Sequence, residues 1–234
     1  MGSQSVAIPE QVYGLPGLAF GGYVAGVVAH PLGPCAHVTF RKPTPLAQPL
    51  EMRVTTTAVT LGNRQDPFVE ACVIDGLPEA PHPPTLEDAT RGTMAYLQSQ
   101  NFAYPDCFGC GFERRPGEGL RVFVGPIRSD MVCGRWTPDP QLASDSGTIG
   151  SEYVWGALDC PGAWARTFLM RPQSGAVTAF LDAQLLAPVK PAIDHVVYAW
   201  VERAEGRKTW VGSAIATSMG QPVARAHALW VASA

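Results

Sequence analysis

The stretches "FGGYVAGVVAHPLG" (20–33) and "IGSEYVWGALDCPG" (149–162) have the same length and the same plan. Laid over each other, Gly21 meets Gly150, Gly33 meets Gly162 and His30 meets Asp159. Each opens on small residues, continues as an apolar run of helical length and ends at a proline and a glycine. Proline lacks an N–H and its ring crowds the preceding turn, so Pro31 and Pro161 are expected to stop or kink the two helices. A segment that occurs twice in one chain points to a duplicated unit.

Both helices lead into runs rich in β-branched and aromatic residues with partial alternation, the pattern of strands. After the first come "HVTFRKP" (37–43), "LEMRVTTTAVTL" (50–61) and "PFVEACVI" (67–74). After the second come "AVTAFLDAQLLA" (176–187), "DHVVYAWVERA" (194–204), "KTWVGSAIAT" (208–217) and "PVARAHALWVA" (222–232). "GEGL", "RVFVG" and "MVCGRW" predict a hairpin ahead of the second helix, and 75–100 reads as a proline-rich linker followed by a short helix. In "VARAHALW", Ala224, Ala226, Ala228 and Trp230 share one face, where small side chains let a helix lie close. The unit is one central helix with an antiparallel sheet wrapped around it, used twice, which makes the fold α+β. The expected organisation is a first repeat over 1–77, a linker with a short helix over 78–103 and a second repeat over 104–234.

The chain has 234 residues, 17 of them basic and 20 acidic, for a net charge of −3. No basic run or stripe supports nucleic-acid binding. No apolar stretch approaches the ~20 residues of a membrane span. The start "MGSQSVAIPEQ" lacks the charged-then-apolar layout of a secretory signal. The expectation is a cytoplasmic protein that binds neither nucleic acid nor membrane. Its six cysteines are too sparse for a disulfide scaffold and would remain thiols in a reducing compartment.

"AFGGYVAGVVA" (19–29) resembles the helix start of type II acyl-CoA thioesterases, whose motif has the form FGGxxxGxxL. "CFGCGFERRPGEGLRV" (107–122) and "IGSEYVWGALD" (149–159) resemble the small hot-dog thioesterases related to the phenylacetate-pathway enzyme. Many of those open with CFxCGxxNxxGLxL and later carry HGGxxxxLxD on the helix. The resemblance covers 15–75 and 104–232 and implies a double hot-dog fold. It further implies hydrolysis of an acyl-CoA or acyl-carrier-protein thioester without metal or other cofactor, by a homodimer or higher homo-oligomer. The chain departs from the family at His-Gly-Gly, which is Phe-Gly-Gly at 20–22 and Ile-Gly-Ser at 149–151.

Thioester hydrolysis needs a carboxylate that attacks or activates water, and N–H donors that hold the developing oxyanion. The unpaired amides of a helix N-terminus suit the second task. Gly150 and Asp159 are nine residues apart, about 13 Å along one helix, too far to share a carbonyl. Asp159, as base or nucleophile, is therefore expected to face the start of the other helix, Gly21-Gly22-Tyr23, whose amides would be the oxyanion donors. The competing uses are a carboxylate that caps the helix at Pro161, and glycines that simply ease helix packing. The reciprocal site would pair the Ile149–Ser151 turn with His30, which either touches substrate or satisfies its own helix end.

By the resemblance, Thr178 falls where type II thioesterases place an active-site threonine. Their glutamine partner falls near Ala228, which cannot do that work. His227 next door points away from the alanine face and reads as structural. Tyr153 and Trp155, with Trp164, are candidates for lining an acyl pocket, core packing being the alternative; Arg166 and Arg171 read as solvated surface arginines. For Cys107 and Cys110, a structural zinc takes four ligands, whereas Cys133, Cys160 and His82 are scattered singly in the sequence. A redox pair should open a helix in a βαβ setting, and here glycine-rich sequence follows. The C-x-x-C is read as a turn introducing the second repeat. Two rival functions stay open. An enoyl-thioester hydratase or dehydratase would want an NPxHxD-type helix entry, which is absent. A non-catalytic acyl-thioester binder fits the altered His-Gly-Gly and the missing glutamine.

Overall fold

The strand-forming runs pair into one antiparallel sheet of eleven strands, seen in a computed structural model that describes residues 2–63, 65–99, 104–170 and 175–232. The first half contributes β1 (Gly2–Val6), α1 (Gly21–Ala29), β2 (Cys35–Phe40), β3 (Leu50–Val54), β4 (Ala58–Asn63) and β5 (Asp66–Val73). After α2 (Leu86–Gln98) come β6 (Gly125–Arg128), β7 (Met131–Trp136), α3 (Ser151–Ala165) and β8 (Ala176–Leu185). The chain ends with β9 (His195–Glu205), β10 (Lys208–Thr217) and β11 (Pro222–Ala232). The sheet order is β1-β3-β4-β5-β2-β8-β11-β10-β9-β7-β6. Thus β7-β9-β10-β11-β8 repeats β1-β3-β4-β5-β2, and the two sets join where β2 pairs with β8, Val38 opposite Leu181.

Three sequence expectations need correction, and one strand lacks a sequence signal. "LEMRVTTTAVTL" is a hairpin rather than one strand, because Thr55 turns the chain: its Oγ1 accepts the Ala58 N–H at 2.9 Å. The hairpin before α3 is confined to β6 and β7, and "GEGL" and "RVF" stay outside it. The exposed polar run "GSQSV" forms β1 by pairing with the edge of β3, a strand that carries no apolar alternation to announce it. Pro31 does close α1, within a tight turn over His30–Leu32, but Pro161 does not stop α3. That helix runs on to Ala165 and into a π-helical turn over Arg166–Met170. Proline disturbs the carbonyls of the turn before it, and Ser213 Oγ from β10 donates to one of them, Leu158 O, at 2.7 Å.

The helices α1 and α3 lie antiparallel on one face of the sheet, α1 against β2, β4 and β5, and α3 against β9, β10 and β11. Glycines set their separation. A Cβ on Gly22 would stand 2.8 Å from Gly156 Cα, and one on Gly26 would stand 2.3 Å from Glu152 Cα. Spaced four apart, Gly22 and Gly26 lie on the same helix face and allow backbone to meet backbone. Ala224, Ala226, Ala228 and Trp230 are buried in the same core. On the opposite face, Ala89 packs with Met131, Cys133, Val196 and Tyr198, and Tyr198 Oη donates to Pro81 O at 2.9 Å. Among the described residues no helix is long and apolar enough to cross a membrane.

Replacing Gly26 by Val should lower stability by roughly 1–3 kcal/mol, the range for overpacking a filled core. Urea unfolding monitored by circular dichroism would show it, with Gly2→Val, which meets nothing within 4 Å, as a neutral control. An unchanged midpoint for the Gly26 variant would contradict backbone contact between the helices.

Candidate active site

Asp159 sits in α3 with 4% of its surface exposed, facing the start of α1. Two donors hold its carboxylate. Thr178 Oγ1, near the start of β8, donates to Oδ1 at 2.9 Å. The Gly22 amide, in the first turn of α1, also donates to it. A Cβ on Gly21 would lie 3.6 Å from Oδ2, and one on Gly22 would fall 2.6 Å from Asp159 Cβ, so glycine at 22 is what lets the carboxylate reach the amide. Burial pushes the Asp159 carboxyl up to about 6, helped by the neighbouring Cys107 and opposed by the Thr178 and Gly22 donors. The folded state thus disfavours the ionised acid, and stability falls as pH rises from 3.8 to about 6. At neutral pH the charge costs about 3 kcal/mol of folding stability.

No family model matches the sequence, and no curated protein matches it. Solved structures do. The tesB protein of Mycobacterium avium subs paratuberculosis superposes with a TM-score of 0.62 at 12% identity, covering 95% of this chain and 91% of that one. A candidate thioesterase II from Thermobifida fusca gives 0.65 at 13% identity, over 100% of this chain and 93% of that one. A hot-dog protein of unknown function from Alicyclobacillus acidocaldarius gives 0.62 at 14% identity, over 99% and 92%. The chain folds as a double hot dog. At these identities the likeness is one of fold.

Within the double hot dog, Asp159, Gly21, Gly22, Thr178 and the backbone of Tyr23 are brought together, and the side chains of the other candidates are not. Tyr23 belongs to the same first turn, but its ring joins Tyr153 at 5.5 Å and Phe108 at 6.1 Å between centroids. Burial pushes Tyr23 up to about 12 and also raises Tyr153. Trp155 is 1% exposed and packs in the core, its Cβ 3.0 Å from where a Cβ on Gly26 would be. It lines neither of two surface depressions, one beside Trp200 and one beside Pro31. His30 lies at the far end of α1 from Asp159, about 13 Å along the helix. There its Nδ1 is hydrogen-bonded to Ser151 Oγ at 2.9 Å, so it faces the α3 start. Arg166 is buried at 7% exposure rather than solvated, because the helix continues past Pro161 and carries it inward; Arg171 lies outside the described residues. Two surface depressions, one beside Trp200 and His227 and one beside Gln4 and Pro31, do not reach Asp159.

The C-x-x-C loop is more than a turn introducing the second repeat. It comes to the helix pair itself, where a Cβ on Gly109 would meet Cys160 Sγ at 2.5 Å and Phe20 Cζ at 2.6 Å. Phe108 caps the Tyr23–Tyr153 pair, with its ring 6.2 Å from that of Phe20 as well. Sequence spacing gave no hint that Cys160 would join Cys107 and Cys110. The available signal was its place directly after Asp159, at the position where α1 begins.

If the Asp159 carboxylate is the working form, thioester hydrolysis should fall about tenfold per pH unit below about 6. Thr178→Val removes a donor that favours the charged form, so the fall should begin at higher pH. Initial rates of thiol release from pH 4.5 to 8, in reducing buffer with chelator, would check both; an acid limb unaffected by the Thr178 substitution would contradict this arrangement.

Proposed function

We propose that this protein is an acyl thioesterase acting on a coenzyme A or acyl-carrier-protein thioester in the cytoplasm. The observation that carries the reading is one carboxylate, Asp159, buried at the crossing of two helices and held by Thr178 and by a helix N-terminal amide. Two of the similar structures, from Thermobifida fusca and Novosphingobium aromaticivorans and each at a TM-score above 0.6, are named as thioesterases, which supports the same class.

In this reading Asp159 takes a proton from water as the water oxygen attacks the thioester carbonyl. The tetrahedral oxyanion forms beside the first turn of α1. Because the Gly22 amide is engaged by the carboxylate, the oxyanion falls to the neighbouring first-turn amide of Tyr23. Collapse breaks the C–S bond, the acid leaves, and the thiolate recovers the proton from Asp159. Thr178 keeps the carboxylate aligned and favours its ionised form. No metal or other cofactor enters these steps.

A non-catalytic acyl-thioester binder is favoured by one specific feature. Ala228 is buried opposite Leu181 where the resemblance wants a glutamine, so no amide side chain there completes the Asp159–Thr178 pair. A panel of acyl-CoA and acyl-phosphopantetheine thioesters separates the two readings. Wild type should release thiol, and Asp159→Asn should lose roughly 10²–10⁴-fold in rate. Equal turnover by the two would overturn the mechanism, and thermal stabilisation by acyl-CoA without turnover by wild type would establish the binder.

A further inference from the structure

Hydrolysis by Asp159 leaves three cysteines without a task. The Sγ atoms of Cys107, Cys110 and Cys160 all lie within 4.8 Å of one another, and each residue is less than a tenth exposed. They converge from two separate segments: Cys107 and Cys110 from the Cys-Phe-Gly-Cys-Gly loop, Cys160 from α3. A lone buried cysteine packs as a small apolar residue; Cys133, in the second core cluster, does that here.

The loop differs from such packing in two ways. First, the backbone N–H groups of Gly109 and Cys110 both donate to Cys107 sulfur, and the Cys110 and Cys160 sulfurs lie within 4.8 Å of it. Amides aimed at a sulfur with two more sulfurs beside it suit a metal-bound thiolate. Secondly, the loop is shaped to admit the third sulfur. Gly109 leaves the space that Cys160 Sγ enters, since a Cβ there would come within 2.5 Å of it. Backbone bonds hold that shape: Phe108 N–H to Tyr13 O and Gly111 N–H to Cys107 O, each at 2.8 Å. Tyr96 Oη fixes the second cysteine by donating to Cys110 O at 2.6 Å.

We propose that Cys107, Cys110 and Cys160 form a three-thiolate site for a soft divalent cation of the zinc class, with water in the fourth position. Zinc–sulfur bonds of about 2.3 Å in a tetrahedron put sulfurs about 3.8 Å apart. The three sulfurs are no more than 4.8 Å apart, at most about 1 Å beyond that spacing. Among the described residues no fourth Cys, His, Asp or Glu joins the group, which matches a three-ligand site completed by solvent. Soft sulfur donors select zinc-class ions over magnesium or calcium, which take oxygen. The ion would clamp the loop carrying Phe108 onto α3 at the residue after Asp159. The sequence expectation of no metal rested on counting ligands along the chain, and this site is assembled across it.

The test does not depend on catalysis, so it stands or falls apart from the thioesterase reading. Full-length protein, stripped with chelator and kept reduced, is titrated with Co(II) and then Zn(II). The expected result is a thiolate-to-cobalt charge-transfer band with intense tetrahedral d–d absorption, saturating at one equivalent and displaced by Zn(II). Protein purified without chelator should carry about one zinc per chain by elemental analysis. Cys160→Ser and Cys107→Ser should abolish the charge-transfer band, and Cys72→Ser, an exposed cysteine elsewhere, should retain it. Wild-type protein that is folded by circular dichroism yet takes up no cobalt overturns the proposal whatever the variants do. Uptake that survives Cys160→Ser in a folded variant overturns the three-sulfur assignment.

Discussion

The structure depends on the crossing of α1 and α3, where glycine lets two helix backbones touch. With Gly22 against Gly156 and Gly26 against Glu152, the helices have no side chains between them at two successive turns. A larger residue at either α1 position would push the helices apart. The Gly22 amide would then leave Asp159, and the carboxylate would remain buried with one donor fewer. Burying a charge without donors is far costlier than burying it with them, so the same contact that packs the core makes the site tolerable. Stability and chemistry rest here on one interatomic distance.

Duplication explains why the site exists in one chain and why it exists once. Each helix start is brought to the far part of the other helix, so the fold makes two related junctions. At one, Asp159 meets Gly22; at the other, His30 meets Ser151. The fold treats both ends alike, and the residue types separate them. A carboxylate with an elevated pKa can exchange protons near neutrality, whereas the exposed His30–Ser151 pair lies against solvent and holds two helix ends together.

Much of this was legible in the sequence because the repeat is local and periodic. The overlay of 20–33 on 149–162, which sets His30 against Asp159, and the alanine face of β11 are patterns that local sequence carries. The distance argument along α3 pointed to the start of α1, which Asp159 faces, and the resemblance pointed to Thr178, which donates to it. What escaped notice was set by packing between distant segments. Pro161 passes inside α3, and Ser213, from a strand fifty residues on, donates to Leu158 O in the turn before it. Trp155 fills the core where α3 meets Gly26 of α1. Cys160 meets Cys107 and Cys110 because a loop folds back over the helix pair, and spacing along a chain carries no trace of that.

The most direct measurement is titration of the Asp159 carboxyl carbon by NMR in selectively labelled, reduced and chelator-treated protein. Burial between Thr178 and Gly22 predicts a midpoint at about 6. A midpoint at the ordinary 3.8 would contradict the account, because burial would then not outweigh the Thr178 and Gly22 donors.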